Sequence, residues 1–320
     1  MMGRFVSGDL PALDALVEKA SAGIGRDIEA LRIPRLAGVV LGGGYGRGEG
    51  GAKKNAKGDF VLSNDLDFFA VTEEGEGDDA TVPIADALRP VSEKWTAELG
   101  VDVDFAVKTP WRLKHDEERI MVQELLRGYF DVAGDRGEKM FAGIAKRDAA
   151  ALPWMEAARL LMNRGMGLLF ARARGGEREK DFVARNINKC ILGAGDAFLV
   201  SRGLYRWRAE ERVAELKAQG KCGLYARAVE WKFRPGEEAV CDWETARETW
   251  LDGYQDVIAC GDRRRTLRNA ARWLVRRRTV GKLRTFALDP VVRVLDEVAA
   301  KVRGRGAPDG SLMRDWEIFN

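Results

Sequence analysis

Asp65 and Asp67 stand two residues apart in Asn64–Thr72, where Leu66, Phe68 and Ala70 alternate with Asp65, Asp67 and Phe69. The alternation predicts a strand, and its period of two sets both carboxylates on one face while Leu66 and Phe68 point to the core. Two close carboxylates repel unless a cation lies between them. Mg²⁺, which prefers oxygen ligands and keeps coordination positions for substrate phosphates, suits such a pair. A second alternating stretch, Val101–Val107, carries Asp102 and Asp104 on one face with Val101, Val103 and Phe105 opposite. A third acid from that stretch would complete a two-metal site. Asp104 lies nearer the strand centre and is the preferred third acid, with Asp102 behind it as a supporting group.

Gly42–Gly51, Gly-Gly-Gly-Tyr-Gly-Arg-Gly-Glu-Gly-Gly, holds glycine at seven of ten positions. Such a loop lets the backbone approach a ligand closely and turn N–H groups toward phosphate oxygens, which suits a triphosphate. A flexible linker is the plain alternative. Linkers, however, are richer in serine and do not sit between a buried strand and an acidic one. The string Gly46-x-Gly48-x-x-Gly51 is present without an amphipathic helix directly after it, so it does not read as a dinucleotide fingerprint, and no GxxxxGK[ST] string occurs.

These groups need elements to hold them. Apolar residues at Leu13, Leu16, Val17, Ala20, Ile24, Ile28 and Leu31 predict an amphipathic helix from about Leu10 to Ile33. Leu36–Leu41 then predicts a short buried strand running into the glycines. The polar, lysine-bearing stretch Ala52–Gly58 follows, the acidic run Glu73–Asp79 is read as a turn, and Val82–Leu99 as mostly helix despite Pro83 and Pro90. Beyond Gly134 helical patterns dominate, at Trp154–Ala173, Phe182–Arg202, Ala209–Ala218, Cys222–Lys232, Trp243–Ala259, Thr266–Arg278 and Val291–Val302. The expectation is an α/β (α+β) chain: a small mixed-sheet domain over residues 1–148 with an N-terminal helix, then an all-α domain over 149–320.

Composition limits what these motifs can mean. The 320 residues include 53 basic and 50 acidic side chains, a formal charge of +3, so bulk charge makes no case for nucleic acid or membrane. The four cysteines lack CxxC spacing, and His115 is the one imidazole, an arrangement that suits neither a zinc site nor a disulfide framework. The N-terminus lacks a basic head followed by an apolar core, and no stretch approaches the length of a membrane span. The expected location is cytoplasmic.

With Gly43-Gly44, Asp65-Leu66-Asp67 and Asp104 or Asp102 in this order, the chain resembles the DNA polymerase β-like nucleotidyltransferases. Within that superfamily, Gly43-Gly44-Tyr45-Gly46-Arg47-Gly48-Glu49 and Asn64-Asp65-Leu66-Asp67 look most like the catalytic domain of the uridylyltransferases that modify PII proteins. The likeness runs weakly to Ala133-Gly134-Asp135, leaving the helical half uncovered, and the connection from Glu49 to Asp65 is longer than that family's pattern.

The resemblance implies transfer of a nucleoside monophosphate from an NTP, ATP or UTP, to an acceptor hydroxyl on a protein, small molecule or RNA, with pyrophosphate leaving. It implies two Mg²⁺ ions, with Mn²⁺ as a substitute. Asp65 and Asp67 would hold one ion on the β- and γ-phosphates, and Asp67 and Asp104 the second. Gly43 and Gly44 would supply backbone donors. Arg47 would either neutralise phosphate charge or pair with Glu49 or a nearby aspartate. Lys189, in the predicted helix Phe182–Arg202, is the candidate lysine brought onto the phosphates from the helical half. Arg264, Arg268, Arg272 and Arg276 recur every fourth residue and offer a face for an anionic partner, though most basic faces are simply solvated. A catalytically inactive nucleotide sensor or an RNA-binding protein on the same fold is the other class of reading.

Overall fold

A computed structural model describes residues 3–75, 77–174, 179–260 and 289–319. The chain divides into two compact units, Met1–Arg147 with Phe233–Pro235 and Asp148–Lys232 with Gly236–Asn320. The architecture is α+β, mostly helical, with a small mixed sheet confined to the first unit.

The first unit is built on a four-stranded sheet in the order β5-β4-β1-β6. Its strands are β1 (Leu36–Leu41), β4 (Leu66–Thr72), β5 (Val103–Lys108) and β6 (Phe130–Gly134). β1 pairs antiparallel with β4 and β6, whereas β4 and β5 run parallel. Parallel neighbours need a crossover, and α3 (Asp78–Leu99) supplies it.

One face of the sheet is covered by α1 (Pro11–Leu31) and α3. Leu13, Val17, Ile24 and Ile28 from α1 pack with Ile84, Leu88 and Val91 from α3 onto Leu66, Phe68 and Ala70 of β4. α1 approaches α3 closely because Gly23 faces the Trp95 ring, and approaches β6 closely because Gly25 faces the Val132 carbonyl; a Cβ at either site would come within 2.4 Å of its neighbour. The other face carries Val40, Phe69 and Val71 under Leu113, Val122, Leu125, Leu126 and Phe141. These come from α4 (Pro110–His115), α5 (Ile120–Leu125) and the segment around α6 (Gly137–Met140).

Several expectations change. Ala52–Gly58 is not only loop: β2 (Ala52–Lys54) and β3 (Phe60–Leu62) form a separate antiparallel hairpin, whose second strand is too short to show a period. β6 has no counterpart in the sequence reading, because glycine and aspartate interrupt its apolar run. α3 begins at Asp78, inside the run read as a turn, and passes through Pro83 and Pro90. Each proline removes one helical N–H donor, and the buried stripe Ile84, Leu88 and Val91 outweighs that loss. The glycine run itself forms a single helical turn, α2 (Gly43–Gly46).

The second unit is helical: α7 (Trp154–Ala173), α8 (Lys180–Ser201), α9 (Ala209–Ala218), α10 (Gly223–Phe233), α11 (Trp243–Cys260), α12 (Pro290–Arg303) and α13 (Gly310–Phe319). α13 was not anticipated. Its core is fixed by Trp250, fully buried between Gly165 and its neighbours, whose indole N–H donates to the Leu161 carbonyl at 3.0 Å. The predicted helix Thr266–Arg278 and the basic stripe Arg264–Arg276 lie outside the described residues. No helix among the described residues is long and apolar enough to cross a membrane.

Candidate functional site

Asp67 is the second residue of β4, on the face of Phe69 and Val71 but beyond the helices that cover them, so its side chain is exposed while Leu66 and Phe68 are fully buried. Asp65 lies immediately before the strand, half-buried. In the parallel register of β4 and β5, Asp67 pairs with Asp104, Leu66 with Val103 and Phe68 with Phe105. Adjacent strands lie about 4.8 Å apart, so partners in register present their side chains on one face as immediate neighbours. The two acids of the second stretch differ in their place in this register. Asp104 is beside Asp67, while Asp102 precedes β5 and uses its backbone carbonyl to accept from the Leu66 N–H at 2.8 Å.

Burial, and then the charges of Asp65 and Asp102, raise the Asp104 carboxyl above its ordinary value. Its ionised form is therefore held where further negative charge is unwelcome and a cation is welcome. Among the described residues no group of three or more His, Cys, Asp or Glu side chains is drawn together to hold a metal ion. The candidate donors are all carboxylate, the type a hard divalent ion takes, and Asp67 and Asp104 are partners in register.

The glycine turn meets this acidic edge directly. The Gly42 N–H donates to the Asp67 carbonyl at 2.8 Å. Gly43 has φ of +59°, and a Cβ there would lie 2.1 Å from Asp67 Oδ2. Gly43 is thus required twice, by its left-handed backbone and by the carboxylate lying over its Cα. Gly44 is under less pressure, since a Cβ there would meet the Glu49 carbonyl at 3.3 Å. Both glycines are half-exposed and open the first turn of α2, where backbone N–H groups have no partner within the helix.

Arg47 follows the second of its two anticipated roles. It lies 3.7 Å from Glu49 and 3.1 Å from Glu124 of α5, and only 15% of its side chain is exposed. With two carboxylates around it, the guanidinium ties the loop to α5. Lys189 is exposed on α8 in the second unit, and Asn188 beside it is buried, bonding the Ala184 carbonyl and the Val240 N–H.

Two supports escaped sequence reasoning. The Tyr45 hydroxyl, almost wholly buried, donates to the Gly51 carbonyl at 2.8 Å and accepts from the Ser63 and Asn64 N–H groups at 3.3 and 3.4 Å. Burial pushes its phenol up to about 12, so it stays a neutral donor. A lone bulky aromatic inside a glycine run was the available signal. The second support is Asp14, whose carboxylate accepts from the N–H groups of Arg4, Phe5 and Val6 at 2.8, 2.8 and 2.9 Å. The strap it holds pairs with the loop: the Gly50 N–H donates to Phe5 O and the Ser7 N–H to Gly50 O. Nothing in the spacing of Asp14 announces that clamp.

No family model matches the chain, and no curated protein matches it in sequence. The geometry therefore stands by itself.

Proposed function

We propose that the chain is a Mg²⁺-dependent nucleotidyltransferase, moving a nucleoside monophosphate from an NTP to an acceptor hydroxyl. The observation that carries this reading is the register that sets Asp67 beside Asp104, with the Gly43 turn packed against the Asp67 carboxylate. Backbone N–H groups without helical partners next to paired acids are what triphosphate chemistry needs.

The Gly43 and Gly44 N–H groups take the triphosphate oxygens. Asp65, Asp67 and Asp104 are the residues that would hold Mg²⁺. When bound, Mg²⁺ offsets phosphate charge and eases deprotonation of the acceptor hydroxyl. The acceptor oxygen attacks the α-phosphorus in line, the bond to the β-phosphate oxygen breaks, pyrophosphate departs with that electron pair, and the hydroxyl proton goes to solvent. Arg47 keeps the loop rigid against α5, and Tyr45 holds Asn64 and hence the start of the Asp65–Asp67 segment.

The test is incubation with each α-labelled NTP and Mg²⁺, reading pyrophosphate release and label transfer across protein, RNA and small-molecule acceptors. Wild type is expected to release pyrophosphate and Asp67→Ala to lose that activity at least a hundredfold. If both are equally silent while both bind nucleotide, the chain is a nucleotide sensor on this fold.

A further inference from the structure

The segment between Gly51 and Ser63, which joins the glycine turn to the acidic strand, forms the β2–β3 hairpin. We propose that this hairpin docks the acceptor, and that the acceptor is single-stranded RNA whose terminal hydroxyl enters beside Asp104. The inference rests on the nucleotidyltransferase reading for the chemistry, and on the hairpin alone for the partner.

The root of the hairpin is fixed at the site. Tyr45 bonds Gly51 on one leg and Ser63 and Asn64 on the other, and the Ser63 N–H also lies 3.3 Å from the Gly51 carbonyl. The first pair, Ala52 and Leu62, is buried in the core. Every residue from Lys53 to Phe60 is then exposed, so the ribbon stands off the body. An isolated two-stranded ribbon is marginal in water, and here the turn is tied down. The Asn55 side chain accepts from the Lys57 and Asp59 N–H groups at 2.9 and 3.0 Å, and the Asn55 N–H donates to the Asp59 carbonyl at 2.9 Å.

What the ribbon displays is three lysines within five residues around one exposed aromatic. Lys53, Lys54 and Lys57 have no ion-pair partner among the described residues, and Asp59 is the one acid on the ribbon. Phe60, 37% exposed, sits with Lys54 Nζ and Arg234 Cζ each 5.6 Å from its ring centroid. Arg234 is held in place by donating to the Ser7 carbonyl at 2.5 Å. Unpaired cations around an accessible aromatic edge match a phosphate backbone with bases that stack. An acidic protein surface would use the lysines but not an aromatic flanked by cations. Phe60 is five residues from Asp65, a Cα separation of at most about 18 Å, so a strand lying on the ribbon reaches the acids within a few nucleotides. The unpaired lysines also offset the repulsion that Asp65, Asp67 and Asp104 exert on a polyanion.

The experiment is fluorescence anisotropy of a labelled, mixed-sequence RNA of roughly 12 nucleotides, within the usual single-strand site range, titrated with the full chain at several salt concentrations. Because all three lysines are exposed, the triple variant Lys53→Gln, Lys54→Gln, Lys57→Gln should keep its fold, checked by its melting curve. It should bind RNA more than tenfold more weakly at low salt, with the log–log salt slope reduced by about 2, three contacts at about 0.7 each. Phe60→Ala should weaken binding about fivefold or more with the slope unchanged. Asp67→Ala should still bind RNA, and all the hairpin variants should bind NTP as wild type does. Unchanged RNA affinity and slope in the triple variant would overturn the proposal, as would lysine-independent labelling of a protein acceptor. If RNA binding follows the lysines but wild type binds no NTP, the acceptor role falls together with the transferase reading, and an RNA-binding arm remains.

Discussion

Replacing Asp104 by asparagine tests whether the acids form one electrostatic unit. Burial and the charges of Asp65 and Asp102 raise the folded-state carboxyl of Asp104 above its unfolded value. The folded chain therefore binds that proton more tightly than the unfolded chain. The associated stability is fully present below the unfolded value and is lost as pH rises through the raised folded value. At neutral pH the ionised Asp104 is a net cost, and Asp104→Asn should remove it.

Carboxylates about 5 Å apart repel by about 0.8 kcal/mol in a water-like dielectric. Asp104 is exposed, so screening keeps the whole effect within about 0.2–1 kcal/mol, the range of surface pairs. For a unit of this length that corresponds to a rise in Tm of about 2 °C. Differential scanning calorimetry in EDTA at low ionic strength and pH 7 should show it. The gain should shrink toward pH 4 and largely vanish at high salt, where the Debye length falls to about 3 Å. With Mg²⁺ and NTP the order should reverse, because ligand at a hundred times its Kd stabilises wild type by about 2.7 kcal/mol and the variant by less. A variant that melts lower than wild type in EDTA, or equal stabilisation of both proteins by Mg²⁺ and NTP, would refute the argument.

Two further substitutions separate the loop from its supports. Gly43→Ala places a methyl group on Asp67 Oδ2 and forces φ of +59° on a residue with a Cβ; it should cost about 1–2 kcal/mol in urea unfolding and lower kcat far more than that loss of stability accounts for. Tyr45→Phe removes one donor to Gly51 and one acceptor for Ser63 and Asn64. It should cost about 1–3 kcal/mol, with NTP affinity falling because both ends of the hairpin and the start of the acidic segment lose their common anchor.

The acids, the glycine run and the order strand, loop, acidic strand, helix, acidic strand were legible in the chain because each rests on a local rule. Period-two alternation from Leu66 onward fixes which way Asp67 faces, and glycine density marks a backbone that must take unusual angles. Short or interrupted elements were not legible. β6 and the β2–β3 hairpin are too brief for a period to emerge, and the start of α3 was hidden by charge. What the tertiary structure alone decided were relations across chain distance. That Asp104, and not Asp102, falls in register with Asp67 depends on the parallel pairing of β5 with β4. The commitment of Arg47 to Glu49 and Glu124 depends on where α5 docks. The collision that demands glycine at position 43 depends on a side chain 24 positions later. Local periodicity determines which way a side chain faces within its own element, and only packing determines what stands opposite it.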